Sequence, residues 1–220
     1  MAQDDMVVLI DRARVAAGLL PLARSPALSR AAEAHAHDMA AQGYMEHEGL
    51  DGSTPASRAA GEGYATPAGS AWLVVEVISA RGDAPEAALG WWLGDGSHRR
   101  VVLRPTWREL GVGYAQGGPY GRFWVVLFGC RPNVLTPVLL DGTLSIPDES
   151  CGSAPDTFGH VQATRAAQTA DATKASDWEP YVAGREWPAG QAAVVHLRDA
   201  ASRVLEVTAN DPTTPATELP

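Results

Sequence analysis

The stretch that decides the fold runs from Ala71 to Gly129, and it holds an acidic residue where packing alone would not place one. Glu76 interrupts an apolar run that reads Trp72-Leu73-Val74-Val75-Glu76-Val77-Ile78. A second segment follows, Trp91-Trp92-Leu93-Gly94-Asp95-Gly96-Ser97-His98-Arg99. A carboxylate within a β-strand is costly unless it is paired, hydrogen-bonded or bound to a cation. The segment with Asp95 and His98 could supply that partner, which predicts a polar site built on a sheet.

The residues around this stretch predict helices first and then a sheet with helices around it. Ser25 and Pro26 are typical of an N-cap and the first position of a helix, and Gly43 is typical of a helix end. The predicted helices are Asp5–Ala17, Ala27–Gln42, Thr54–Ala60 and a helix from Pro85 to Trp92 or Leu93. The predicted strands are Ala71–Ala80, Glu109–Gln116 and Arg122–Cys130, the last two joined as an antiparallel hairpin. This order predicts an α+β domain arranged as an α-β-α sandwich.

The pattern changes after Cys130, where short β-like runs replace helical periodicity. These runs are Val134–Leu140, Gly159–Thr164, Gln191–Arg198 and Val204–Ala209. They predict a small all-β sandwich. The Pro- and Thr-rich end of the chain is predicted to be disordered. We therefore expect a first domain over residues 5–130, a β-sandwich module over 134–209 and a tail over 210–220.

Composition excludes several classes of protein. The chain has 220 residues, 45% of them apolar, and a net charge of −9. That charge argues against nucleic acid or an anionic membrane as a partner, and no apolar run is long enough for a transmembrane segment. The two cysteines, Cys130 and Cys151, fit either a disulfide or two free thiols. The start of the chain shows no signal-peptide pattern, so the protein is either cytosolic or a mature form with an added initiator Met.

The first domain resembles the bacterial branch of the superfamily that unites cysteine-rich secretory proteins, antigen 5 and plant pathogenesis-related proteins (CAP, or SCP-like, domains). The resemblance covers roughly Met6 to Gly129 and rests on motifs that occur in the family's order. They are Leu9-Ile10-Asp11-Arg12-Ala13-Arg14, Ala34-His35-Ala36-His37-Asp38-Met39-Ala40, His47, Asp51-Gly52-Ser53-Thr54-Pro55, Gly96-Ser97-His98-Arg99, Arg108-Glu109-Leu110-Gly111-Val112-Gly113-Tyr114 and Phe123-Trp124-Val125-Val126-Leu127-Phe128-Gly129. The second domain resembles, more weakly, immunoglobulin or fibronectin-type β-modules.

The resemblance implies a central cleft with two histidines and two acidic residues, a set that often holds a divalent metal such as zinc. By position the four residues are His47, Glu76, Asp95 and His98. Imidazole nitrogens and carboxylate oxygens are suitable zinc ligands. His35 and His37 lie two residues apart on one helix, so we expect one to pack in the core and the other to be exposed.

The resemblance, together with this set of residues, implies three hypotheses about function. The leading hypothesis is a secreted binding protein whose signal peptide has been removed, with a divalent metal, a small apolar ligand, a lipid or an extracellular protein as partner. The second is a metal-dependent, peptidase-like hydrolase with Glu76 or Asp95 as general base. The third makes the four residues purely structural, with an adhesion or spacer role outside the cell. Nucleophilic catalysis has little support, because Ser97 adjoins His98 in sequence and no Gly-x-Ser-x-Gly elbow is present. We expect binding rather than turnover.

Overall fold

The computed structural model describes residues 2–64, 72–80 and 84–131 and, beyond these, the backbone of seven short strands. The first part contains five helices: α1 (Ala2–Ala16), α2 (Pro26–Gln42), α3 (Pro55–Gly61), α4 (Pro85–Gly94) and α5 (Gly96–Val102). It also contains four strands: β1 (Ala23–Arg24), β2 (Leu73–Ser79), β3 (Glu109–Gly117) and β4 (Gly121–Cys130). None of the described helices is both long and apolar enough to cross a bilayer.

The sequence signals for helix ends operate as expected. The hydroxyl of Ser25 accepts a hydrogen bond from the Leu28 N–H at the start of α2, and Gly43 ends that helix in the left-handed conformation with φ 74°. Thr54 caps α3 in the same way through the Ser57 N–H. These side chains satisfy backbone donors that have no partner within the helix. Two elements were not predicted, the two-residue strand β1 and the helix α5.

The four strands form one sheet in the order β1-β3-β4-β2. Strand β1 runs parallel to β3, and the β3–β4 and β2–β4 pairs are antiparallel. Alternate residues of each strand face opposite sides. One side packs against α1, α4 and α5, with Trp92, Trp107 and Trp124 at its centre, and the other packs against α2 and α3. The prediction of a mixed helix and sheet domain is confirmed, and its layers are helix, sheet and helix.

Helix α2 lies unusually close to β3, because two glycines leave room for its backbone. A Cβ atom on Gly111 would lie 2.2 Å from the Leu28 carbonyl carbon, and one on Gly113 would lie 2.1 Å from the Ala32 carbonyl oxygen. Only glycine fits at such separations. This close contact fixes α2, and the loop that follows it, over the sheet.

A buried ion pair lies beside a disulfide-bonded cysteine at the end of β4. Arg131 donates two hydrogen bonds to Glu109, from Nε at 2.9 Å and from Nη2 at 2.6 Å. The Tyr64 hydroxyl donates to the same carboxylate at 2.7 Å, and burial raises the pKa of Tyr64 well above its usual value. Cys130 is disulfide-bonded, which excludes the free-thiol alternative for this residue. Cys151, the only other cysteine, and the predicted boundary near Pro132-Asn133 lie outside the described residues.

The strands after residue 131 are β5 (Val138–Leu140), β6 (Thr143–Ser145), β7 (Gln162–Ala166), β8 (Glu179–Pro180), β9 (Val194–Arg198), β10 (Val204–Thr208) and β11 (Thr217–Glu218). Of these, β5, β7, β9 and β10 overlap the four predicted β-like runs, whereas β6, β8 and β11 lie outside them. Five of them form a sheet in the order β11-β10-β9-β7-β8. Strand β11 falls within the predicted tail, whose other residues lie outside the described ones. The β-sandwich over residues 134–209 stays a prediction.

Candidate functional site

Glu76 is the centre of one half of the candidate site. It lies within β2, with its side chain only 1% exposed. Its Oε1 is 2.8 Å from His47 Nδ1, and its Oε2 accepts a hydrogen bond from Arg58 Nη2 at 2.9 Å. Both carboxylate oxygens therefore have a partner. The sequence suggests a partner for Glu76 from the Asp95–His98 segment, whereas in the structure its partners are His47 and Arg58.

Arg58 ties the loop after α2 to the strand. It lies on α3, and its Nη2 also donates to the carbonyl oxygen of His47 at 3.0 Å. Its Nη1 donates to the Ser53 carbonyl at 2.9 Å. One guanidinium thus holds the backbone of the His47 loop and neutralises the charge of Glu76. Sequence reasoning missed this residue, although the need of a buried carboxylate for a cation was a signal for it.

The contact with Glu76 determines which ring nitrogen of His47 carries the proton. An ionised carboxylate only accepts hydrogen bonds, so His47 Nδ1 carries the proton and donates. The His47 side chain is 53% exposed, and within the described residues its Nε2 has no hydrogen-bond partner. This tautomer leaves a lone pair on Nε2, at the exposed end of the ring.

His35 lies beneath this pair, in the core. Its Nε2 is 3.0 Å from the Glu46 carbonyl oxygen and 3.8 Å from Glu76 Oε1. Burial lowers the pKa of His35, and the nearby Glu76 charge only partly opposes this effect. His37 is exposed on the outer face of the same helix. The prediction that one of the two histidines packs in the core and the other is exposed is confirmed.

Asp95 and His98 form the second half of the candidate site. Asp95 is the N-cap of α5, where its Oδ1 accepts from the backbone N–H groups of Ser97 at 2.9 Å and His98 at 3.0 Å. The same oxygen is 2.7 Å from His98 Nδ1, and it also accepts from the Ser97 hydroxyl. Hydrogen bonds from the Ser97 hydroxyl, the His98 backbone and the His98 ring lower the pKa of Asp95. The Ser97 hydroxyl therefore donates to Asp95 and not to a histidine.

The two halves repeat one arrangement. In each, a carboxylate accepts from Nδ1 of a histidine, and Nε2 of that histidine has no hydrogen-bond partner within the described residues. The His98 ring also lies against Trp91, with 4.6 Å between ring centroids. The structure thus pairs His47 with Glu76 and His98 with Asp95.

The halves belong to different layers beside the edge strand β2. Glu76 faces the layer of α2 and α3, whereas α5 follows α4 in the opposite layer. The Trp92 indole N–H donates to the Ile78 carbonyl at 3.0 Å, which fixes α4 to β2 two residues from Glu76. In the part of the chain that the structure describes, no three His, Cys, Asp or Glu side chains are grouped closely enough to hold a metal ion.

Comparisons with known proteins extend this description. The sequence profile of the cysteine-rich secretory protein family (CAP) matches residues 7–128. YkwD of Bacillus subtilis strain 168 is 30% identical over 115 residues, which cover 51% of this chain and 42% of that protein. Among solved structures, an extracellular SCP-domain protein from Bacillus anthracis has a TM-score of 0.51 and 24% identity, covering 59% of this chain and 40% of its own. An outer surface protein from Borrelia burgdorferi has a TM-score of 0.49 and 21% identity, with 57% of this chain and 90% of its own covered.

These matches support different conclusions. The likeness to the B. anthracis structure concerns the fold alone, since the identity is low. The chain spans less than half of the length of that protein and of YkwD, so nothing about their whole activity transfers directly. The family profile, in contrast, matches more than half of the 220 residues and includes His47, Glu76, Asp95 and His98. The chain therefore belongs to the cysteine-rich secretory protein (CAP) family.

Proposed function

We propose that this protein is an extracellular binding protein whose CAP domain takes a divalent cation, zinc first, through Nε2 of His47 and Nε2 of His98. The observation that carries the proposal is the repeated pair. Each imidazole donates from Nδ1 to a carboxylate and leaves Nε2 for a metal. Histidines that ligate zinc commonly donate their other ring N–H to a carboxylate, which orients the ring and raises its basicity.

Glu76 and Asp95 are, on this proposal, orienting residues rather than first ligands. Both oxygens of Glu76 already accept hydrogen bonds, one of them from the Arg58 cation. Asp95 Oδ1 accepts several hydrogen bonds at the start of α5. Each carboxylate thus accepts from one histidine ring and orients it, as carboxylates beside zinc-binding histidines commonly do. A bound zinc ion would supply a Lewis acid that holds an anionic or carbonyl group of a ligand.

The same contacts weigh against the hydrolase alternative. A general base needs an oxygen or nitrogen that is free to take a proton from water. Both oxygens of Glu76 already accept hydrogen bonds, from His47 and from Arg58. The hydrogen bonds of Ser97 and His98 lower the pKa of Asp95, which makes this carboxylate a weak base. We therefore place binding ahead of turnover.

The extracellular setting rests on two observations. The disulfide at Cys130 suits an oxidising compartment, and the similar B. anthracis protein is described as extracellular. The strands of the second region are compatible with an immunoglobulin- or fibronectin-like module that acts as a spacer or adhesion element. This analogy is at the level of the fold.

Zinc titration by isothermal calorimetry tests the proposal, with the His47→Ala/His98→Ala double variant and His37→Ala as a matched control. His37 is an exposed histidine on the outer face of α2. We expect wild type and His37→Ala to bind about one zinc per chain with Kd below about 10 μM, and the double variant to lose this binding. Glu76→Gln should weaken affinity about 10- to 100-fold, as loss of an orienting carboxylate does. Equal binding by the double variant, or no binding by wild type, would leave the four residues structural.

A further inference from the structure

Strand β3 has an outer edge that β1 covers only at its beginning. Strand β3 has 9 residues and β1 has 2. The pairing is limited to Ala23 with Glu109 and Arg24 with Leu110. At Ser25 the chain turns into α2. Among the strands that the structure describes, none pairs with the outer edge of β3 beyond Leu110.

The hydrogen bonds to β1 show which backbone groups face this edge. The Ala23 N–H donates to the Arg108 carbonyl, and the Ser25 N–H donates to the Leu110 carbonyl, both at 2.9 Å. Backbone groups of alternate residues in a strand point to the same edge. The N–H and C=O groups of Val112 and Tyr114 therefore point outward as well. They continue the hydrogen-bonding row that β1 begins.

A groove of about 140 Å³ lies at this point, between the two helical layers. Asp4 and Val7 of α1 form one wall, Glu33 of α2 forms the other, and Arg24 and Val112 of the sheet complete it. Within it, Arg24 is paired with Asp4, and Glu33 is the other carboxylate that lines the groove. The Glu33 carboxylate remains 52% exposed, and its Oε1 lies 4.0 Å from Nε2 of the exposed His37.

We propose that this groove, the β3-edge groove, binds an extended segment of another protein that carries a lysine or arginine side chain. The segment adds as a strand beyond the end of β1, exchanges backbone hydrogen bonds with Val112 and Tyr114, and places its cation beside Glu33. Strand addition of this kind obtains affinity from the main chain and specificity from alternate side chains. Exposed strand edges are otherwise protected in native proteins, because they pair readily with other chains.

The charge of the chain favours a basic partner over a second copy. At a net charge of −9, two copies repel each other at long range, whereas a basic segment is attracted. The β3-edge groove is also separate from the proposed metal site. It lies at the β1–β3 end of the sheet, and Glu76 lies on β2 at the opposite end. Failure of zinc binding would therefore leave this proposal intact.

The probe is a pair of displayed libraries of seven-residue peptides, random except for a central arginine in one and a central glutamate in the other. We expect the full chain to enrich the arginine library at least about tenfold over the glutamate library. Glu33→Lys should reverse this preference, and Glu86→Lys, the same change at an exposed position on α4, should leave it unchanged. An enriched peptide should shift the Val112 and Tyr114 amide resonances, and its copy with alternate backbone nitrogens methylated should not bind.

Three results would overturn the proposal. The first is no enrichment of either library by wild type. The second is retained arginine preference in Glu33→Lys, which would place the cation elsewhere. The third is a concentration-dependent dimer in sedimentation that protects the Val112 and Tyr114 amides, since the occupant would then be a second copy.

Discussion

The two histidine–carboxylate pairs have almost the same geometry and very different surroundings. The distance from Nδ1 to the carboxylate oxygen is 2.8 Å for His47–Glu76 and 2.7 Å for His98–Asp95. The Glu76 side chain is 1% exposed and the Asp95 side chain is 45% exposed. Burial makes a charge costly, whereas an exposed charge remains solvated. The His47–Glu76 pair and its partners are therefore expected to contribute much more to the free energy of unfolding than the His98–Asp95 pair.

The partners of each acid follow this difference. Glu76 has a guanidinium on its second oxygen, in addition to the imidazole. Asp95 is supported by backbone N–H groups at the start of a seven-residue helix. The cation compensates for lost solvation at the buried position, and the helix start needs only an acceptor. Substitutions that remove one supporting group of Glu76 or of Asp95 at a time measure how much each group contributes to stability.

Arg58→Ala should have the largest effect on stability. It leaves the Glu76 carboxylate in a buried position without its cation and releases the His47 backbone. Breaking a buried ion pair by removing one partner costs about 3–5 kcal/mol. We expect the free energy of unfolding, measured with urea at about pH 7.5, to fall by about 3 kcal/mol.

Arg30→Ala is the matched control for that substitution. Arg30 pairs with Glu62 at 2.8 Å, but both side chains lie at the surface. Such pairs contribute about 0–1 kcal/mol. If the two substitutions cost the same, burial of Glu76 does not set the importance of its partner.

The next largest effect should be the pH dependence of stability, which we expect to arise from the buried His35. Burial lowers the pKa of His35, so the unfolded chain binds this proton more readily than the folded chain. His35 thus contributes stability that is complete above the unfolded pKa of about 6.5 and is lost as pH falls below it. For a single proton the slope cannot exceed about 1.4 kcal/mol per pH unit.

His35→Gln should flatten this dependence while it keeps an N–H donor for the Glu46 carbonyl. The measurement is the free energy of unfolding of wild type and variant between about pH 5 and 7.5, where unfolded histidine titrates. His37→Gln, on the exposed face of α2, should keep the wild-type slope. Identical curves for wild type and His35→Gln would show that burial does not perturb this ring.

The sequence predicted those features that depend on local signals. In the structure, α2 begins after Ser25 with Pro26 and ends before Gly43, as the sequence pattern predicts. The hairpin of β3 and β4 and the apolar run around Glu76 follow from periodicity and turn residues. Such signals act within a few residues, so reading them requires no knowledge of tertiary contacts.

Two features that depend on distant contacts were missed, and so was one short helix that depends on a local cap. Arg58 reaches Glu76 across 18 positions, and nothing within a seven-residue helix indicates that its side chain turns toward a strand. Strand β1 is two residues long and has no period, and it exists because β3 pairs with it. Helix α5 begins with Gly96-Ser97, residues typical of loops, and depends on Asp95 as its cap. Tertiary contacts thus determine the position of Arg58 and the existence of β1, whereas a side-chain cap determines α5.

On the exposed side of the comparison, Asp95→Ala should cost less stability than Arg58→Ala does on the buried side. This substitution removes the acceptor for the Ser97 and His98 N–H groups at the start of α5. Loss of an exposed cap is expected to cost about a third of what Arg58→Ala costs. The same substitution should weaken zinc binding about tenfold, because His98 loses its orienting carboxylate.

Asp95→Asn separates the cap from the charge, since asparagine is also a good N-cap. We expect Asp95→Asn to keep most of the stability at about pH 7.5 and to lose zinc affinity as Asp95→Ala does. Hydrogen bonds from Ser97 and His98 lower the pKa of Asp95, so its charge adds stability above the unfolded pKa of about 3.9, and this is lost as pH falls through the folded value. Urea unfolding should therefore show wild type and Asp95→Asn converging as the pH falls below about 4. A gap that stays constant as the pH falls well below about 4 would assign the difference between the two proteins to packing and not to the Asp95 charge. The exposed pair would then resemble the buried pair more closely than its solvation implies.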